Sequence, residues 1–215
     1  TDGKHYHPSA LTTPEALVLY QQMAQAVEKG LTHVVMEVSS QAYKTKRVFG
    51  LTFDLGIFLN ISPDHISPIE HETFEEYFLC KQELLLHSKK MVMNHASDYF
   101  EVLENLCQIN HIPYLTYGGS AADYPVIAMD DPRTFELKSS TDPLAINGDY
   151  ALTMFGHFNH ENAAAALLAT AWLETPRNHM KESLSKCVIP GRMTLFDLPN
   201  GALAFVDFAH NYLSL

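Results

Sequence analysis

Cysteine is scarce in this chain: Cys80, Cys107 and Cys187 are the only three in 215 residues, and none forms a C-x-x-C pair. That spacing excludes a disulfide scaffold and a cysteine zinc site, and it fits a reducing, cytoplasmic setting. Long apolar runs are missing too. No stretch reaches the eighteen residues of a membrane span, and no signal-peptide pattern is present. Basic residues are few, 14 Lys and Arg against 25 Asp and Glu, for a net charge of −11. Such a field repels nucleic acid, so an anionic substrate would need local cations, helix N-termini or Mg²⁺. A phosphate-cradling loop is also lacking. Gly3-Lys4 has no earlier glycine at P-loop spacing and is followed by His5 rather than Ser or Thr, so it reads as a turn. Internal repeats and low-complexity tracts are absent.

What is present is ordinary globular material, 47% hydrophobic and 18% charged, long enough for one large domain. The twelve histidines are scattered, which suits surface and loop positions for most of them. The ends, Thr1-Asp2 and Ser214-Leu215, read as those of a piece cut from a longer protein.

Periodicity predicts a run of alternating elements. Thr13 suits an N-cap and Pro14 a first helical position, with Leu17, Tyr20, Met23, Ala24 and Val27 at helical spacing and Gly30 as the stop. Thr32 to Val38 and Phe53 to Leu59 read as buried strands, with a turn or short helix over 39–46 between them. A helix over 73–88, a strand over 91–94, a helix over 97–109 and a strand over 113–117 complete a βαβ rhythm. That rhythm predicts an α/β fold with a mostly parallel sheet flanked by helices and right-handed crossovers. Residues 118–149, richer in Asp, Ser, Thr and Pro, predict a small antiparallel appendage. A strand over 150–155 leads into an alanine-rich helix over 163–173 with an asparagine cap. A short helix over 182–187 follows, then strands over 194–198 and 202–206 joined at the hairpin turn Asn200-Gly201.

Chemistry concentrates at the ends of the early strands. Asn60-Ile61-Ser62-Pro63-Asp64-His65 follows one apolar run and Glu37-Val38-Ser39-Ser40 ends another. Ligands of open α/β sheets bind outside the carboxyl ends of strands. Glu37 is notable, because an acid inside an apolar strand must be paired or metal-bound. Lys81 falls near the buried face of its helix, where a lysine either snorkels to water or loses its proton and becomes reactive.

Leu11-Thr12-Thr13-Pro14-Glu15, Met36-Glu37-Val38-Ser39-Ser40, Arg47-Val48-Phe49-Gly50, Asn60 to His65, Lys81, Gly156-His157-Phe158-Asn159 with Asn162, Pro190-Gly191-Arg192-Met193 and Val206-Asp207-Phe208-Ala209-His210 occur in the order found in the Mur ligase family. Each is weak alone; together, in register, they make this chain resemble the family over essentially its whole length. The resemblance implies a three-domain, ATP-dependent amide ligase of peptidoglycan synthesis. Residues 1–210 would be its central ATP-binding domain without the P-loop, and 211–215 the start of a hinge to a C-terminal domain. The piece alone would then not be competent. ATP would phosphorylate the D-glutamyl carboxylate of UDP-N-acetylmuramoyl-L-Ala-D-Glu, and the amine of an incoming amino acid would attack the acyl phosphate.

By the same resemblance Glu37 and His65 would hold Mg²⁺, and Lys81, carbamylated by CO₂, would add an anion beside it; these three are the implied catalytic residues. Thr12, Thr13, Ser39 and Arg47 match substrate-binding positions. Asn162 matches an adenine contact, Asp207 a ribose contact and Arg192 a phosphate contact. The full-length enzyme would be a cytoplasmic monomer with no nucleic-acid partner and no membrane insertion. Ser40-Gln41-Ala42-Tyr43 and Ser62 to Ile66 with Pro68-Ile69-Glu70-His71 resemble the lysine-adding branch rather than the diaminopimelate-adding one. Ser67, Gln41 and Thr45 depart from residues common in relatives (Asp, His and a substrate-holding Gln), and Tyr212-Leu213 replaces a usual Pro and acidic pair. A folylpolyglutamate-synthase-like ligase, or a nucleotide-binding module without turnover, are the competing readings.

Overall fold

The structure is a computed structural model and describes residues 6, 8–63 and 66–208. The chain forms two compact units. The first holds the residues up to Gly56 with Ile61–Lys90 and Glu101–Pro113; the second holds Ile57–Asn60, Met91–Phe100 and the residues from Tyr114 onward. The Gly3-Lys4 turn lies outside the described residues, as do Asp64, His65 and 209–215.

The first unit is helical. Helix α1 (Ala16–Glu28) buries Leu19 and Ala26, and α2 (Ser40–Lys44) buries Ser40 and Ala42. Leu19, Ala42 and Val48 form a core, with Met23, Met36, Val38, Tyr43 and Leu51 packed against it. Burying each Leu or Val side chain stabilises by about 1.5–3 kcal/mol. Helix α3 (Phe74–Leu86) starts where the sequence predicts, with the Thr73 side chain accepting from the Glu76 N–H. Helix α4 (Phe100–Ile109) follows further on.

Two expectations fail in this unit. The N-cap of α1 is Glu15, with no side-chain cap bond, and Thr13 is used elsewhere. The run over 32–38 is not a buried strand. It carries no ladder among the described residues, and Val34 and Val35 are 56% and 99% exposed. An apolar run reports a tendency to extend and be covered; the ladder needs a partner that local pattern cannot supply.

The second unit is built on a six-stranded sheet in the order β1 (Gly56–Phe58), β2 (Met91–Asn94), β3 (Tyr114–Gly118), β4 (Tyr124–Ala128), β5 (Thr134–Leu137) and β6 (Gly148–Ala151). Strand β1 is shorter than its apolar run, because Phe53 makes only an isolated bridge to Ser88. Pairing is parallel from β2 through β4, in registers such as Val92↔Leu115 and Tyr117↔Tyr124. It is antiparallel from β4 through β6, with Val126↔Leu137 and Phe135↔Tyr150. The expected antiparallel segment is therefore real, and it continues the main sheet. All four residues of β2 are buried.

Helix α5 (His157–Trp172) lies on β2, β3 and β4 and buries Ala163, Ala164, Ala165, Leu167, Leu168 and Ala169. Small side chains let it sit close to the sheet. It begins earlier than predicted, and its N-cap is Gly156 at φ 100°, not an asparagine. Asn159 instead lies in the first turn and donates to the Phe155 carbonyl at 2.7 Å. Helix α6 (Arg177–Lys186) is also longer than expected. A separate hairpin, β7 (Thr194–Asp197) with β8 (Leu203–Val206), turns at Asn200-Gly201, with Gly201 at φ +80°. Two histidines are core residues rather than surface ones: His71, and His160, which donates to the Pro132 carbonyl at 3.0 Å and stacks on Phe135. No described helix is long and apolar enough to cross a membrane.

Candidate functional site

In the first unit, four predicted site residues meet. Thr13 is fully buried, and its hydroxyl donates to the Glu37 carbonyl at 2.9 Å and accepts from the Ser39 N–H at 3.1 Å. Ser39 in turn caps α2, its side chain accepting from the Ala42 N–H at 3.3 Å. Arg47, just beyond α2, donates from Nη1 to the Thr13 carbonyl at 3.4 Å. Its Nε lies 3.3 Å from the Glu15 carboxylate, in a side chain only 13% exposed. A guanidinium this far out of water is a strong anion partner. Thr12, beside this knot, is exposed.

Lys81 lies on α3 with its Nζ 5.7 Å from the Tyr77 ring centroid. Burial pushes its pKa below the usual lysine range, and the Glu37 carboxylate, near enough to be felt, opposes that shift. Glu37 itself is exposed, so the argument from an acid enclosed in an apolar strand does not apply to it. A carboxylate open to solvent suits a hard cation, and an amine inclined to lose its proton suits capture of CO₂. These donor types fit the implied Mg²⁺ and carbamate. His65 lies outside the described residues, and among the described residues no group of three His, Cys, Asp or Glu gathers as a metal cluster.

The nucleotide-type residues belong to the second unit. The Met193 N–H donates to Asp207 at 2.9 Å, so the two ends of the β7–β8 hairpin bring Arg192 and Asp207 together. The Arg192 guanidinium stands 5.1 Å from the Phe208 ring centroid. Asn162 is exposed on α5, while Asn159 is buried and its amide donates to the Phe155 carbonyl. A cavity of about 520 Å³ opens beside the start of α5, lined by Ala96, Gly118, Gly119, Ser120, His157 and Glu161 among others. At its edge the Asn94 amide donates to Glu161 at 3.1 Å.

Residue chemistry missed one contact. His71, fully buried, has Nε2 2.8 Å from the Ser40 hydroxyl and Nδ1 3.8 Å from Glu76. Glu76 also pairs with Lys44 at 2.7 Å and accepts from the Glu72 N–H. Both partners lie in runs that carry the lysine-branch resemblance, yet no local spacing joins residues 31 positions apart.

A mostly parallel sheet backed by helices carries these residues, Glu37 and a desolvated Lys81 in one unit and Arg192 with Asp207 at the hairpin ends in the other, as a middle domain of the ligase class would. Residues 1–170 match the family described as Mur ligase middle domain, and the chain belongs to the Mur ligase family. All of it aligns with the UDP-N-acetylmuramoyl-L-alanyl-D-glutamate--L-lysine ligase of Enterococcus faecalis, 48% identical over 218 residues, and with the UDP-N-acetylmuramyl-tripeptide synthetase of Lactococcus lactis subsp. cremoris, 45% identical over 214. It spans 43% of the length of each of these relatives. The solved structure of a UDP-N-acetylmuramoyl-L-alanyl-D-glutamate--2,6-diaminopimelate ligase superposes with a TM-score of 0.74 at 26% identity, over 91% of this chain and 41% of that one. MurF from Acinetobacter baumannii shares the fold, with a TM-score of 0.68 at 19% identity over 88% of this chain and 42% of that one.

Proposed function

We propose that this chain is the central part of a cytoplasmic ligase that joins L-lysine to UDP-N-acetylmuramoyl-L-Ala-D-Glu at the expense of ATP. The observation that carries the reading is the 48% identity, over the whole chain, to a ligase named for that substrate and that amino acid. Residues 1–210 are assigned to its central domain.

The reaction has two steps. The D-glutamyl carboxylate takes the γ-phosphoryl group of ATP, giving an acyl phosphate and ADP. The lysine amine then adds to the acyl carbon, and the tetrahedral adduct expels inorganic phosphate to leave the amide. Little covalent work falls to the protein, so its residues position anions and offset charge. Arg47 holds a substrate carboxylate, aided by Thr12 and Ser39. Thr13, whose hydroxyl is already committed to Glu37 and Ser39, acts by fixing both. Asn162 contacts the base, Asp207 the ribose and Arg192 the phosphates.

Glu37 and His65 would hold Mg²⁺, which supplies neutralisation of the phosphate oxygens. Lys81 would add to CO₂ through its neutral amine and release one proton, which would turn a potential cation into an anion able to join Glu37 and His65 in holding the metal. Its lowered pKa supports that role, because only the unprotonated amine is nucleophilic.

The test is phosphate release by the full-length natural protein with ATP, Mg²⁺ and UDP-N-acetylmuramoyl-L-Ala-D-Glu over a panel of amino acids. Release that depends on L-lysine is expected. Release that depends on diaminopimelate would overturn the amino-acid assignment, and no release with any amino acid would overturn the reading.

A further inference from the structure

We propose that His71 is a positioning residue of this ligase: its buried imidazole clamps the 66–76 segment onto the start of α2 and so holds Thr13 and Ser39 in register with Lys81 within the first unit. The inference rests on the ligase reading above.

The clamp begins in the backbone. The Ser67 N–H donates to the His71 carbonyl at 2.9 Å, and Ile66 bridges His71, so the 66–71 loop is closed on His71 itself. The side chain then ties that closed loop outward in two directions. Toward α2, Nε2 meets the Ser40 hydroxyl at 2.8 Å, one residue after Ser39, whose N–H is bonded to Thr13. Toward α3, Nδ1 lies 3.8 Å from Glu76, and the imidazole sits 5.4 Å from the Tyr77 ring. The Tyr77 ring also lies 5.7 Å from the Lys81 amine. A chain of contacts therefore runs from Thr13 and Ser39 through Ser40, His71 and Tyr77 to Lys81. Lys44, at the far end of α2, reinforces the same joint by donating to the Glu70 carbonyl and pairing with Glu76, each at 2.7 Å.

Serine, histidine and glutamate in this order suggest a nucleophile relay. Burial argues otherwise: with Ser40 4% exposed and His71 fully enclosed, no acyl group can reach the hydroxyl. What burial does confer is rigidity, because a desolvated hydroxyl–imidazole bond has no water to replace it when broken. A ligase that works by alignment loses rate when such a joint loosens, even where ground-state binding survives.

The experiment uses the full-length enzyme. Its wild-type lysine-dependent phosphate release is measured first, and its absence would sink the ligase reading without bearing on the clamp. Ser40→Ala and His71→Leu are then expected to lower kcat at least tenfold, with KM for ATP changed less than twofold and the Mg²⁺ requirement raised. His71→Gln, whose amide can reach Ser40, is expected to recover most of the rate. Ser40→Ala removes one atom, and it decides the matter should His71→Leu not fold. Wild-type kcat in Ser40→Ala, or equal impairment of the Gln and Leu variants with KM for ATP rising in parallel, would overturn the proposal.

Discussion

Replacing Thr13 with valine isolates what its hydroxyl does. Valine has nearly the same shape, so the fully buried site keeps its packing and opens no cavity. What disappears is a bond to the Glu37 carbonyl at 2.9 Å and one from the Ser39 N–H at 3.1 Å. A net hydrogen bond contributes about 1 kcal/mol, and stranding a buried partner costs about 1–3 kcal/mol. Two bonds lost, partly offset by burying a methyl in place of a hydroxyl, come to about 2 kcal/mol, or roughly 30-fold in a local opening equilibrium. Hydrogen exchange on the full-length protein reads this directly, as faster exchange of the Ser39 amide and of the α2 N-terminus that Ser39 caps. Thr13→Ser retains the hydroxyl and should keep wild-type protection. If Thr13→Val protects the Ser39 amide as well as wild type while Thr13→Ser does not, the methyl rather than the hydroxyl holds this joint, and the reasoning fails.

Three further expectations concern both units. In the full-length enzyme, Lys81→Ala should abolish phosphate release, with partial recovery on adding a short carboxylate such as acetate; normal turnover would remove Lys81 from the site. Because the folded-state pKa of Lys81 lies below its ordinary 10.5, the unfolded chain binds more protons between the two values. Stability must therefore rise with pH across that window, and wild type should gain on Lys81→Met there; a flat difference between the two unfolding curves would contradict the burial of the amine. Gly118→Ala drives a Cβ into the Asn94 side-chain oxygen at φ +109°, and should destabilise by about 2–3 kcal/mol. Gly119→Ala, with nothing within 4 Å, should be close to neutral, and equal melting shifts for the two would refute the close approach.

Much of this protein could be read along the chain. Local periodicity and turn residues marked α3 from Thr73, the β2 strand and the β7–β8 hairpin, because those signals sit within a few residues of one another. The ordered motifs named the family, and burial of Lys81 followed from helical spacing. Tertiary structure alone decided the rest. It took Thr13 from a helix cap and made it a tie between Glu37 and Ser39, and it left Val34 and Val35 exposed where a covered strand was expected. It also joined Ser40 to His71, 31 positions away. The physical reason is the same in each case: a hydrogen-bond partner or a covering surface supplied from a distant part of the chain leaves no trace in local composition or period.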